Sequence, residues 1–160
     1  MAVLLLSVAV NIYQSRRASA ADRVYSELVD LHVATLASTT PVDVVSTDRH
    51  TVKPWFQGKI PFTFNLPELQ GTPFTLVGGR ITYLGQTPGA QLIYQVRKHE
   101  ISVFIFQDRG DLANEVASGA AHAASFNAES WKESGLRYFV ISDVSSDDVA
   151  ALSKLLRGAG

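Results

Sequence analysis

The chain has 160 residues, 46% of them hydrophobic, with 14 basic and 15 acidic side chains, a formal net charge of -1 and no cysteine. This length predicts one globular domain whose core needs no metal or disulfide. The lack of cysteine excludes a disulfide framework, a thiolate metal site and a cysteine nucleophile. The balanced charge argues against direct nucleic-acid binding, because phosphates require a basic surface. We expect no cofactor.

The N-terminal segment is strongly apolar from Met1 to Tyr13 and ends at Arg16 and Arg17. As a helix this run would span roughly 20 Å, less than the ~30 Å hydrocarbon layer of a membrane. We interpret residues 1–17 as the end of a membrane helix or as a signal-like segment, since Ala18-Ser19-Ala20 resembles a cleavage site. An ordinary buried or amphipathic helix is the alternative.

A helix with one broad apolar side is predicted within residues 18–40. It begins near Asp22 and ends before Pro41, which removes a backbone donor. Its apolar positions recur at helical spacing in two stripes, Val24, Leu28, Leu31 and Thr35 beside Tyr25, Val29, His32 and Leu36. We interpret this segment as a stalk that continues from residues 1–17 or as a helix that docks on the domain.

Residues 41–160 are predicted to form an α+β domain. A short strand is expected over 41–47, and the aromatic, proline-rich segment that follows, up to Phe74, is expected to be neither a regular helix nor a central strand. Alternating apolar residues then predict strands, and residues 108–124 are predicted to be a loop or a weak helix. The predicted strands are 75–84, 90–97, 101–106, 126–132 and 136–143.

A C-terminal amphipathic helix is predicted after the cap formed by Ser145 to Asp148. The fold class is therefore α+β: an antiparallel meander of four to five strands with an N-terminal amphipathic helix and a C-terminal helix.

The most reactive-looking cluster is Asp48 with His50, because a carboxylate near an imidazole can orient a general base or share a metal. No second histidine lies at a ligand spacing from His50, so a metal site is not predicted. His32, His99 and His122 are scattered, and we expect structural or surface roles for them. Serine-nucleophile motifs are absent from the sequence, so no catalytic residue is assigned.

Gly78, Gly79 and Arg80 do not fit a phosphate-binding loop, because no Gly-Lys-Ser/Thr and no helix start follow them. Two glycines within an apolar strand instead predict a β-bulge or a close approach of two backbones. We treat these residues, together with Trp131, as a structural motif.

The segment from His50 to Lys59 places adjacent aromatics between two lysines. Its functional interpretation is a surface that recognises a peptide or a helix, with aromatic contact area and lysines that orient an acidic partner. The alternative is that the two aromatics anchor the core while the lysines are solvated. The candidate partner or signal surface consists of His50, Lys53, Trp55, Phe56 and Lys59.

Several separated motifs, in order, resemble the extracytoplasmic part of bacterial membrane-bound anti-sigma factors. The similarity extends over about residues 41 to 157. The motifs are Asp48 to Lys59, Pro67-Glu68-Leu69, Phe74 to Arg80, Tyr83-Leu84, Ala90 to Tyr94, His99 to Phe106, Trp131, Gly135 to Phe139 and Ser142-Asp143.

This resemblance implies a sensor that binds a signal and transmits it, and that catalyses no reaction. In that family a cytoplasmic zinc-associated domain holds an extracytoplasmic-function sigma factor, and one membrane helix follows it. The chain lacks the His-x-x-x-Cys-x-x-Cys motif of that domain, so the sigma factor is expected to be bound only through a cytoplasmic domain outside this chain. The expected location is the inner membrane, with most of the chain periplasmic.

Two other functions stay open. One is a periplasmic module that binds a peptide or another ligand without a link to transcription. The other, which is more remote, is a small hydrolase that uses Asp48 and His50.

Overall fold

The computed structural model describes residues 2–110, 112, 114 and 116–159 and confirms the α+β class. An N-terminal and a C-terminal helix are both present, as predicted. The elements are α1 (Ala2–Leu36), β1 (Val44–Val45), α2 (Arg49–Phe56), β2 (Phe74–Leu84), β3 (Thr87–Val96), β4 (His99–Gln107), β5 (Gly119–Ala123), β6 (Phe126–Glu133), β7 (Leu136–Ser142) and α3 (Ser146–Arg157).

Within the described residues, the strands form one antiparallel sheet of seven strands in the order β1-β2-β3-β4-β7-β6-β5. The predicted number of four to five strands was therefore too low. The prediction missed β5, because its sequence Gly-Ala-Ala-His-Ala has no β-branched residue and lay in the segment assigned to a loop or a weak helix.

Two-residue turns connect the central hairpins. Gly85-Gln86 joins β2 to β3, and Arg97-Lys98 joins β3 to β4. Gly85 and Arg97 have φ angles of 57° and 55°, the positive values that tight hairpin turns require. Pro88 and Gly89, which lie between the predicted strands 75–84 and 90–97, are part of β3.

Both faces of the sheet are covered. One face packs against α2, the segment after it and α3, and the opposite face packs against α1. This arrangement corrects the prediction of a half-buried strand over 90–97, because Gln91 is only 1% exposed beneath α1.

Helix α1 continues without interruption across the predicted boundary at residue 17. Its C-terminal half docks on the sheet, and Leu28 is fully buried there. In its N-terminal part several apolar side chains are exposed, namely Leu6, Val8, Val10, Ile12 and Tyr13. Among the described residues, no helix has both the length and the apolar character needed to cross a membrane.

Helix α2 corrects the expectation that the proline-rich segment contains no regular helix. Asp48 caps its N-terminus, with the Oδ1 atom accepting a hydrogen bond from the backbone N–H of His50 at 2.8 Å. Pro54 lies near the C-terminal end of this short helix, which stops at Phe56. The missing proline donor therefore costs one helical hydrogen bond only, and the helix ends within the next turn.

The paired glycines of β2 make the predicted bulge and the predicted close approach. The β2–β3 register shifts between Leu76 and Gly78. A Cβ atom on Gly78 would lie 2.1 Å from the carbonyl oxygen of Val44 in β1. A Cβ atom on Gly79 would lie 2.8 Å from the ring of Phe56. The lack of a side chain at Gly79 therefore makes room for the Phe56 ring, which anchors α2.

The other two residues of the structural motif differ in burial. Arg80 is partly exposed on β2. Trp131 is 5% exposed and stacks on Tyr138 with ring centroids 4.9 Å apart. The guanidinium of Arg157 in α3 lies over the Trp131 ring, 4.5 Å from its centroid. Trp131 therefore ties α3 to the sheet.

Candidate functional site

A groove runs between the N-terminal end of α2, the segment 65–74 and the C-terminal half of α3. We call it the α2–α3 groove. It has three adjoining parts, because Arg49 and Leu66 line all of them. These parts are a basic cleft of about 310 Å³, an inner pocket of about 110 Å³ and an apolar arm of about 800 Å³.

The basic cleft is lined by Arg49, His50 and Lys53, which follow the cap of α2. The Arg49 guanidinium pairs with the Glu68 carboxylate at 3.1 Å and donates to the Leu66 carbonyl oxygen at 3.3 Å. These contacts hold the 66–68 segment beside α2 and so fix the wall of the groove.

Lys53 donates from Nζ to the amide oxygen of Asn65 at 2.6 Å. Since that amide is neutral, the contact orients Lys53 without cancelling its charge. None of the residues that line the basic cleft is acidic. The cleft therefore offers an anion an uncompensated positive charge.

Asp48 and His50 are close, but the Asp48 carboxylate acts as a helix cap. Its Oδ2 atom accepts a hydrogen bond from the Thr51 hydroxyl at 3.1 Å, in addition to the bond from the His50 backbone. The backbone bond is the main reason that the pKa of Asp48 is lowered. The Asp48 carboxylate thus contacts the backbone N–H of His50, and this contact does not orient the imidazole ring.

The predicted partner surface is divided by the fold. His50 and Lys53 line the basic cleft, whereas Lys59 donates to the Trp55 carbonyl oxygen at 2.7 Å and lies over the Trp55 ring. Phe56 is 2% exposed and belongs to the core. Phe56 is therefore an anchor, which was the structural alternative, and it offers no surface to a partner.

Tyr94 was missed as a site residue, since a tyrosine on the core side of an alternating strand looks like packing. It is 0% exposed, lines the inner pocket, and its hydroxyl has no hydrogen-bond partner among the described atoms. Burial raises the pKa of Tyr94, so the hydroxyl stays protonated at neutral pH. A buried, protonated and unpaired hydroxyl is available as a donor.

The apolar arm lies between the 66–74 segment and α3. Pro73, Phe74 and Leu155 supply its apolar lining. Its acidic members are already paired: Glu68 with Arg49, and Asp148 with Arg97 at 2.6 Å. Hydrogen bonds from Arg97 and Ser145 lower the pKa of Asp148, so this carboxylate is charged and neutralised locally.

Within the described part of the chain, no group of three histidine, aspartate or glutamate side chains is placed to hold a metal ion. No protein-family model and no curated protein sequence matches the chain.

Proposed function

We propose that the chain is the extracytoplasmic sensor portion of a bacterial membrane-anchored anti-sigma factor. In this proposal it regulates transcription by binding a signal outside the cytoplasm and transmitting the change, without catalysis. The ordered motifs between residues 41 and 157 suggest the family. The way α1 docks on the sheet is the observation that supports signal transmission.

Helix α1 is attached to the sheet by apolar side chains such as Leu28 and, beside them, by a layer of buried polar contacts. The Nδ1 atom of His32 lies 2.7 Å from the Ser102 hydroxyl, and the Gln91 amide donates to both Ser102 and Thr35 at 3.0 and 2.9 Å. Polar pairs contribute less net free energy than apolar burial because water can replace them when the surfaces separate. The polar layer is therefore the part of this contact that would oppose a change in docking least.

The same helix carries the exposed apolar side chains of its N-terminal part. A change in its docking would therefore be transmitted along one continuous helix to the segment that we propose contacts the membrane. Transmission of this kind requires that the signal bind one position of α1 more tightly than the other. The sigma factor would be held by a cytoplasmic domain outside this chain.

The test uses the gene with its native upstream sequence. Deletion should raise transcription from promoters that depend on a neighbouring extracytoplasmic-function sigma factor, and the protein should fractionate with the inner membrane. Unchanged transcription after deletion would contradict the regulatory role, and recovery of the protein in a soluble fraction would contradict anchoring.

A substitution in the polar layer tests transmission separately. Thr35→Val removes the hydroxyl that accepts from Gln91 and should change the transcriptional response with little change in cellular protein level. Ser26→Ala, on the exposed side of the same helix, is the matched control. Equal responses of the two variants would count against α1 as the transmitting element.

A second candidate function is a periplasmic module that binds a small ligand or peptide without a link to transcription. The α2–α3 groove favours it, because the groove combines a charged end with an apolar arm. Ligand binding by a protein whose deletion leaves sigma-dependent transcription unchanged would support this second function over the first.

A further inference from the structure

The α2–α3 groove has a chemical polarity along its length. At one end His50 and Lys53 lie beside Arg49, and no acidic side chain lines that cleft. Away from it, the apolar arm is lined by groups such as Phe74 and Leu155, and Lys154 also lies on its wall. A ligand that matches both ends must carry a negative charge at one end and an apolar body at the other.

Two carboxylates, Asp48 and Glu68, line the adjoining inner pocket, and neither lines the basic cleft. Asp48 accepts two hydrogen bonds from the first turn of α2, and Glu68 is paired with Arg49. Lys53 is bonded to a neutral amide and keeps its positive charge. The attraction for an anion is therefore confined to the basic cleft, where Lys53 supplies it.

Tyr94 supplies the second, independent observation. Tyr94 lines the inner pocket together with Arg49 and His50, and its hydroxyl is buried and unpaired within the described structure. Leaving a buried hydroxyl without a partner is unfavourable, because the group has lost its hydrogen bonds to water. An acceptor atom in the pocket would recover that cost, and a carboxylate oxygen is a strong acceptor.

We propose that the α2–α3 groove binds an amphipathic organic acid. Its carboxylate lies where the basic cleft meets the inner pocket, beside Arg49 and His50, and accepts a hydrogen bond from Tyr94. Lys53 adds electrostatic attraction, and the hydrocarbon part of the ligand lies along the apolar arm. This inference goes beyond the sensor role, because it names a ligand class that the purified protein binds in the absence of any membrane or sigma factor.

The first experiment compares three probes by calorimetric titration of the purified full chain at neutral pH. Octanoate carries both features, octylammonium has the same tail with the opposite charge, and acetate has the carboxylate without the tail. We expect octanoate to bind at least tenfold more tightly than either of the others. Equal affinities for octanoate and octylammonium, or no octanoate binding at millimolar concentration, would overturn the proposal.

Charge variants locate the head group. Lys53→Gln should weaken octanoate binding several-fold, because it removes the uncompensated charge of the cleft. Lys59→Gln is the matched control, since Lys59 lies over Trp55 and does not line the groove. Equal losses in the two variants would show that attraction is non-specific and would refute this site.

The sharpest variant is Tyr94→Phe, which removes only the hydroxyl. We expect its thermal midpoint to be unchanged or raised and its octanoate affinity to fall about tenfold, as for a lost charge-assisted hydrogen bond. Tyr83→Phe, at an exposed tyrosine, should alter neither quantity. If Tyr94→Phe lowered the thermal midpoint and kept full octanoate affinity, the hydroxyl would have a partner within the protein. That result would reject its role as a donor to the ligand. Failure of these titrations would leave the transcriptional test of the sensor role unaffected.

Discussion

Gly78 shows how a single residue position controls the edge of the sheet. Its φ angle is 154°, and a Cβ atom there would lie 2.1 Å from the Val44 carbonyl oxygen. We expect Gly78→Ala to lower the free energy of unfolding by at least about 2 kcal/mol, since backbone strain and overpacking each cost about 1–3 kcal/mol. Urea denaturation measures this change.

Gly158 provides the control for that substitution. Its φ angle is negative, and a Cβ atom there would make only ordinary contacts at 3.6 Å. Gly158→Ala should therefore leave the free energy of unfolding nearly unchanged. Similar losses in both alanine variants would show that the contact with β1 is not what makes Gly78 necessary.

At the scale of elements, the docking of α1 is expected to depend on pH through His32. Burial lowers the pKa of His32 to about 4, against a partial opposing effect of Asp143. The unfolded chain therefore binds a proton near pH 6.5 and the folded chain only near pH 4, so stability falls as pH decreases through this interval. The loss is up to about 3 kcal/mol if the pKa difference is fully expressed.

Denaturation at a series of pH values between 7 and 4 measures this loss. His32→Gln should flatten the pH dependence in that interval, whatever its own effect on stability. His122→Gln replaces an exposed histidine of β5 and should retain the wild-type slope. A slope that persists in His32→Gln would assign the pH dependence to other groups.

Two elements show where sequence patterns were insufficient. Helix α2 was missed because prolines and aromatics concealed a short helix, although the Asp48 cap was readable from the sequence. Strand β5 was missed because small residues give no alternation, and its pairing with β6 decides its conformation. By contrast, the strands around Gly85 and Gly135 were predicted because turn residues and alternating apolar positions agree there.

At the scale of the whole molecule, Arg137 joins distant parts of the chain. Arg137 is fully buried, and its Nε atom donates a hydrogen bond to the Asp108 carboxylate at 3.2 Å. The same carboxylate also pairs with Lys132. Asp108→Ala would leave a buried guanidinium without its charge partner, and we expect a loss of about 3 kcal/mol or more in the free energy of unfolding. Chemical denaturation measures it, with Asp30→Ala on the exposed side of α1 as control. Equal stability of the two variants would contradict this role.

The candidate site was predictable only in part. His50 and Lys53 were identified from the aromatic and basic segment, and both line the basic cleft. The 66–74 segment and α3 complete the groove from regions distant in sequence, and their meeting with α2 depends on the tertiary fold. Tyr94 was not identified because its position in an alternating strand is equally typical of core packing. The unpaired hydroxyl becomes visible only in three dimensions.

The strand order also has a consequence for how quickly the protein folds. Four of the six strand pairings are hairpins with short turns; the two-residue edge strand β1 pairs with β2 across the α2 segment, and β4 pairs with β7 across the whole β5–β6 segment. Closing that long loop costs more chain entropy than forming any of the hairpins, so it is expected to limit the rate. In stopped-flow refolding, Val140→Ala at the β4–β7 junction should slow folding, whereas Val149→Ala in α3 should mainly accelerate unfolding. A chain with this topology is committed to its final structure when its two halves meet at Val103 and Val140.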